Sequence, residues 1–166
     1  HTDIYSYLFE KLPKSLSPVL MMPYLNGSGN PTCDLDMKGA FLGLTMTTTR
    51  YDIVKAILEA QAFEMKLNID TLKDANVTIQ ELRCVGGGAK SADGLQLKAN
   101  ILGMPVSTLQ TREAACLGAA MLAGVGTGRF ENVKQASQLV KTDKIYHPQK
   151  EIMSLYKERY FLYQSL

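Results

Sequence analysis

The residues of this chain whose types and spacing could do chemistry are gathered at Glu81-Leu82-Arg83-Cys84-Val85-Gly86-Gly87-Gly88-Ala89-Lys90-Ser91. Leu82 and Cys84 alternate with Glu81 and Arg83, the period-2 pattern of a strand with one face in a core. Gly86, Gly87 and Gly88 then remove every Cβ, so the main chain can take positive φ and be approached closely. Ser91 is a good N-cap, and Ala92 to Leu102 has helical spacing with Gly103 as its stop. Strand, stripped turn and helix N-terminus together predict a concavity with outward-facing N–H groups, a setting in which nucleotides are held. Lys90 also reads as an ordinary solvated side chain.

Spacing separates the nucleotide sites this turn could form. A Walker A loop needs GxxxxGK[ST]; Ala89-Lys90-Ser91 ends with the right pair, but Cys84 and Ala89 stand where both glycines belong. A dinucleotide fingerprint needs GxGxxG. Gly86 and Gly88 supply its first half, Ser91 occupies its last position, and Gln110-Thr111-Arg112 follows Leu109 where an acid should close the ribose site. Neither pattern is met. Asp34 and Asp36 sit in a Gly/Pro-rich loop and read as turn formers bonding their own backbone rather than as a catalytic pair. The three cysteines, Cys33, Cys84 and Cys116, are far apart, no CxxC exists, and the histidines are His1 and His147, so no metal site is predicted.

Around the turn, the chain alternates helix and strand, which predicts α/β architecture. Ile4 to Leu12 is amphipathic. Residues 13–40 are loop-rich, punctuated by Pro13, Pro18, Pro23 and Pro31, with a short strand over Val19 to Met22. Phe41 to Met46 is strand-like. Thr49 with Asp52 resembles a capping box for a helix running to about Leu72. Its buried face is predicted to be Ile53, Val54, Ile57, Leu58, Gln61, Ala62 and Met65, with Lys55 and Glu59 pairing weakly on the exposed side. A second strand covers Met104 to Leu109. Thr111 is expected to cap a helix of small residues, Ala114 to Ala123, which reads as a buried core helix with Gly118 at a tight crossing. Asn132 caps a short helix through Val140. A last helix follows His147-Pro148, with Ile152, Leu155, Tyr156, Arg159, Tyr160 and Tyr163 on the stripe that docks on the core.

The chain has 166 residues, 46% hydrophobic and 20% charged, enough for one domain with a sizeable core. A net charge of +2 is too small to argue for nucleic acid. There is no signal peptide and no apolar run of about 18 residues, so no membrane partner is predicted. Reduced thiols in a cytoplasmic protein are the economical reading of the cysteines. The start at His1-Thr2-Asp3 reads either as a trimmed end or as the later part of a longer protein.

Several spaced blocks carry a resemblance. Gly86-Gly87-Gly88-Ala89-Lys90-Ser91, Gln96, Gly103-Met104-Pro105-Val106 and Glu113-Ala114-Ala115-Cys116-Leu117-Gly118-Ala119-Ala120 look like the C-terminal ATPase half of the FGGY carbohydrate kinases. Upstream, Pro23-Tyr24-Leu25-Asn26-Gly27-Ser28-Gly29, Pro31, Asp34, Lys38-Gly39 and Gly43-Leu44 resemble the family's PYLxGERxP…D…RG…GL block. The resemblance implies the C-terminal part of an RNase H-like lobe of the actin/hexokinase/Hsp70 type, with a mixed sheet flanked by helices. It implies transfer of the γ-phosphate of ATP, with Mg2+, to a hydroxyl of a sugar or polyol. By position it implies that Gly87, Gly88 and Ala89 receive adenosine, with Lys90, Ser91 and Ala92 bordering the pocket. The departures are Gly27-Ser28-Gly29 in place of Gly-Glu-Arg, Lys38 in place of an arginine whose bidentate contact lysine cannot reproduce, and no tryptophan after the glycine block.

In the family, the catalytic aspartate, the phosphate-holding hairpin and most sugar contacts lie before the matched region. Residues 1–166 are therefore expected to be one C-terminal lobe portion without the N-terminal lobe, to carry no catalytic residue, and to be inactive alone. Two other readings remain: a non-catalytic interaction or assembly module that retains the kinase-lobe fold, and a nicotinamide-dependent enzyme. The acceptor is left open, and so is the oligomeric state, a homo-oligomer included.

Overall fold

Thr49 starts the longest element. Its hydroxyl accepts from Asp52 N while the Asp52 carboxylate accepts from Thr49 N, a reciprocal cap. The helix it opens, Arg50–Asp74, is the backbone of the fold. The computed structural model describes residues 4–111 and 113–166; the His1-Thr2-Asp3 start and Arg112 lie outside the described residues, as does the side chain of Ser6. Element order is α1 (Ile4–Glu10), β1 (Leu20–Met22), β2 (Ala40–Leu42), α2 (Arg50–Asp74), β3 (Leu82–Cys84), a 3-10 turn (Gly87–Ala89), α3 (Ala92–Leu102), β4 (Val106–Leu109), α4 (Ala114–Gly126), α5 (Val133–Ser137), β5 (Thr142–Tyr146) and α6 (Lys150–Gln164). This is the expected mixed α/β order. β1 and β2 pair antiparallel, with Leu20 opposite Leu42. β3 runs parallel to β4, Leu82 opposite Val106, and β5 closes the second sheet antiparallel to β4.

The strand over Thr142–Tyr146 is not in the sequence reading. Asp143 and Lys144 interrupt its apolar pattern, as charges on an edge strand do, and only Tyr146 is even partly covered.

α2 corrects a second expectation. Lys55 and Glu59 are not on its solvent side; they are 6% and 1% exposed. The helix is covered on more than one side, so no single apolar stripe describes it. Ala56 and Ala60 let β1 approach, packing with Val19 and Met21. Phe63 faces α6, where Tyr156, Tyr160 and Tyr163 surround its ring at 5.1–6.3 Å between centroids. Each tyrosine hydroxyl donates to an α2 carboxylate: Tyr156 to Glu59, Tyr160 to Asp70 and Tyr163 to Glu64. The α6 stripe is thus core packing as expected, except that Leu155 is half exposed.

Glu59 Oε1 also accepts from Ser17 N, Lys55 Nζ donates to the Pro13 carbonyl, and Arg159 donates to the Ser17 carbonyl. Burial pushes the Glu59 carboxyl above its ordinary value, against the pull of the Ser17 N–H, the Tyr156 hydroxyl and the charges of Lys55 and Arg159. These contacts tie the loop before β1 to α2 and α6.

α4 corrects a third. No residue of this helix is buried, although none of its side chains is charged, and Leu122 is 62% exposed. A Cβ at Gly118 would meet nothing within 4 Å, so no tight crossing exists there. Its N-cap is Glu113, without a side-chain capping bond, rather than Thr111. In this chain the small-residue helix lies on the surface.

Candidate functional site

The site is built where β3 ends. Leu82 and Cys84 point into the core with Leu95, Ala99 and Val106, while Arg83 faces outward and pairs with Glu81 at 2.8 Å. The main chain then leaves the sheet at Gly86, with φ +72° and ψ −156°, a conformation open to glycine and strained for other residues. Gly87 and Gly88 do not share that positive φ. They form the 3-10 turn Gly87–Ala89.

The turn uses its own donors: Ala89 N bonds Gly86 O and Lys90 N bonds Gly87 O, each at 3.2 Å. Those two N–H groups are therefore not the outward-facing donors expected from the sequence. What the turn offers instead is bareness. A Cβ on Gly87 would meet nothing within 4 Å, and one on Gly88 would meet Lys98 Nζ at 3.6 Å. Ser91 then caps α3 by accepting from Gly94 N at 3.1 Å, and Gly103, at φ +68°, ends that helix.

Two hollows flank the turn. The larger, about 1010 Å³, lies between α1, α2 and α3, with Phe9, Ile57 and Leu97 among its apolar walls and Gly87, Gly88, Lys90 and Ser91 on its rim. The smaller, about 290 Å³, lies beyond the C-terminal ends of β3 and β4, walled by Gly86, Ala89, Lys90, Ala92, Thr108 and Lys144. Small-molecule sites run from about 300 to 1,000 Å³, so either hollow has the scale of one. The six residues singled out from sequence thus divide. Gly87, Gly88 and Ser91 face the larger hollow, Ala89 and Ala92 the smaller, and Lys90, exposed on the rim, borders both.

Sequence reasoning missed Phe9, Lys98 and Lys144 as neighbours of the turn. The available signal was weak. Tyr5 and Phe9 stand four apart on one helical face, and nothing local says which element that face meets. Asp34 behaves as expected of a turn former, its carboxylate accepting from Asp36 N at 2.9 Å. Cys33, Cys84 and Cys116 are free thiols. Among the described residues no helix is long and apolar enough to cross a membrane.

Comparison with known proteins places the chain. Residues 8–127 match the FGGY family of carbohydrate kinases, C-terminal domain. The xylulose kinase of Staphylococcus epidermidis is 30% identical over 149 residues, 89% of this chain and 30% of its own length. A glycerol kinase of Streptococcus agalactiae is 35% identical over 129 residues, 77% of this chain and 26% of its own length. Among solved structures, a ligand-bound xylulose kinase from Lactobacillus acidophilus superposes with TM-score 0.83 at 25% identity, covering 97% of this chain and 33% of that one. Plasmodium falciparum glycerol kinase with ADP gives TM-score 0.80 at 25% identity, over 99% and 33%. This chain therefore spans about a third of the length of the proteins it matches, and it belongs to the FGGY family of carbohydrate kinases.

Proposed function

We propose that residues 1–166 form one C-terminal lobe portion carrying the adenosine side of an ATP site. The whole protein is a cytoplasmic kinase transferring the γ-phosphoryl group of ATP to a hydroxyl of a sugar or polyol. The observation that carries this reading is the bare turn, which leaves a sheet, opens a capped helix and has a hollow on either side. Gly87 and Gly88 leave main chain open to the flat face of a purine or ribose, and Ser91, Ala89 and Ala92 border that approach. Lys90 stands on the rim of both hollows, where its charge suits a nucleotide.

Phosphoryl transfer also takes Mg2+, a base for the attacking hydroxyl and grips for the phosphates. Among the described residues, no group of three His, Cys, Asp or Glu side chains could hold a metal. We assign the metal, the base and most acceptor contacts to the rest of the protein. Neither nucleic acid nor membrane is a partner in this reading, and a homo-oligomer is compatible with it.

Calorimetry on the chain with ADP tests the reading. Binding should be weak, about millimolar, which requires only some 4 kcal/mol. A Cβ at Gly88 meets only the flexible end of Lys98 in the free protein, so Gly88→Val should fold and lose ADP. Unchanged binding would move the site elsewhere. A kinase assay on the chain alone, with xylulose or glycerol as acceptor, should give no turnover. Robust turnover would overturn the placement of the base. A second reading, a non-catalytic interaction module, draws on the largely exposed α4 and predicts no nucleotide binding in any context.

A further inference from the structure

We propose that Asn100 is a positioning residue that couples the C-terminal helix α6 to the nucleotide turn; the inference rests on the adenosine reading of that turn. Gly87 and Gly88 are exposed and have no side chains to anchor them, so the turn stands wherever its two ends put it. One end is β3, a three-residue strand at the edge of its sheet, paired with β4 alone among the described strands. The other end is α3. The orientation of α3 about its own axis therefore decides how the turn faces its hollows.

On the side that meets α6, a cluster of amides pins that orientation. Asn100 is 5% exposed. Its Oδ1 accepts from Gln149 N at 2.8 Å and from Gln96 Nε2 at 3.0 Å, and its Nδ2 donates to Gln149 Oε1 at 3.3 Å. Gln96 Nε2, one turn nearer the site, also donates to the His147 carbonyl at 2.8 Å. Gln149 is the N-cap of α6 and makes no side-chain capping bond, so α3 supplies what α6 lacks at its start.

Further along, α6 is held to α2 by the hydroxyls of Tyr156, Tyr160 and Tyr163. A helix transmits a fixed position rigidly along its axis at about 1.5 Å per residue. Leu95, Leu97, Ile101 and Leu102 pack α3 into the core on its other sides, and the paired amides add direction-specific bonds on the side that meets α6. The C-terminal helix, distant in sequence from the glycines, thus sets their presentation.

The test uses the 166-residue chain with Asn100→Leu, Asn100→Asp and Gln96→Leu. It reads ADP affinity by calorimetry and amide exchange of residues 86–94, both well below the melting temperature of each variant. Asn100→Leu leaves the Gln149 N–H without its acceptor, and should weaken ADP about tenfold and speed exchange at the turn. Asn100→Asp keeps the acceptor and lets the Gln149 amide turn over to donate, so it should stay within about threefold of the parent. Gln96→Leu should change exchange in the same direction, less strongly, and decides the matter if Asn100→Leu does not fold. A lower melting temperature with unchanged turn exchange in the folded variants would reduce Asn100 to a structural residue and overturn the proposal. If the parent chain binds no ADP, the adenosine reading falls, and turn exchange by itself decides the coupling.

Discussion

Two helices of this chain have opposite fates. α2 carries Lys55, Glu59, Glu64, Lys66 and Asp70, yet seven of its residues are buried, Lys55 and Glu59 among them. α4 has no charged side chain and no buried residue. Burial here follows the availability of partners and not the polarity of a segment. Glu59, Glu64 and Asp70 of α2 each accept from a tyrosine hydroxyl, and Glu59 Oε1 also from a backbone N–H, while Glu59 Oε2 is buried with no partner among the described residues. α4 meets mainly the short α5 and Phe130 among the described elements, which leave each of its residues at least partly exposed, and apolar atoms gain only from surface that is removed from water.

The contrast can be broken from either side. The largest effect should come from Phe63→Ala, which empties the centre of the tyrosine ring. A loss of about 3–5 kcal/mol in urea or thermal unfolding is expected. A loss under about 1 kcal/mol would mean that α6 is not the closing face of the core.

Next comes Glu59. Its carboxyl is raised above its ordinary value of 4.5, chiefly by burial. The fold therefore favours the protonated form. That contribution is complete below the ordinary value and is lost as pH rises from there through the raised one. Glu59→Gln should flatten the fall in melting temperature over that window, and an unaltered pH profile would show that another group causes it.

Tyr160→Phe removes one hydroxyl-to-carboxylate bond to Asp70, itself paired with Lys66, and should cost about 1 kcal/mol. The smallest effect belongs to α4. Leu122→Ser should shift stability by less than about 0.5 kcal/mol in this chain, since the side chain is already in water. A loss of several kcal/mol would show that α4 has a cover.

Local chemistry was legible at most caps and stops, where the partner lies within one turn of chain, though not at Thr111. Thr49 with Asp52, Ser91 with Gly94, Asn132 with Gln135 and the left-handed Gly103 all behave as their types dictate. β3 was readable because Leu82 and Cys84 follow the pleat, whereas β1 and β4 are short segments buried without alternation. β5 was not, because its strand character comes from pairing with β4 across thirty-odd residues and its own pattern is broken by charges. The candidate site was legible as a turn and not as a pocket. Gly86 to Ser91 announce stripped backbone, but which hollow each residue faces depends on where α1, α2 and β5 come to lie.

What the sequence determined by itself is the set of short-range devices: caps, stops, the glycine turn, the docking stripe of α6 and the ordered blocks that mark the family. Tertiary structure decided the rest. It turned Lys55 and Glu59 inward, left α4 outside, and joined Asn100 to Gln149. The physical reason is that a side chain's preference for water or core is fixed by its chemistry, whereas the choice actually open to it is fixed by which distant surfaces arrive to meet it.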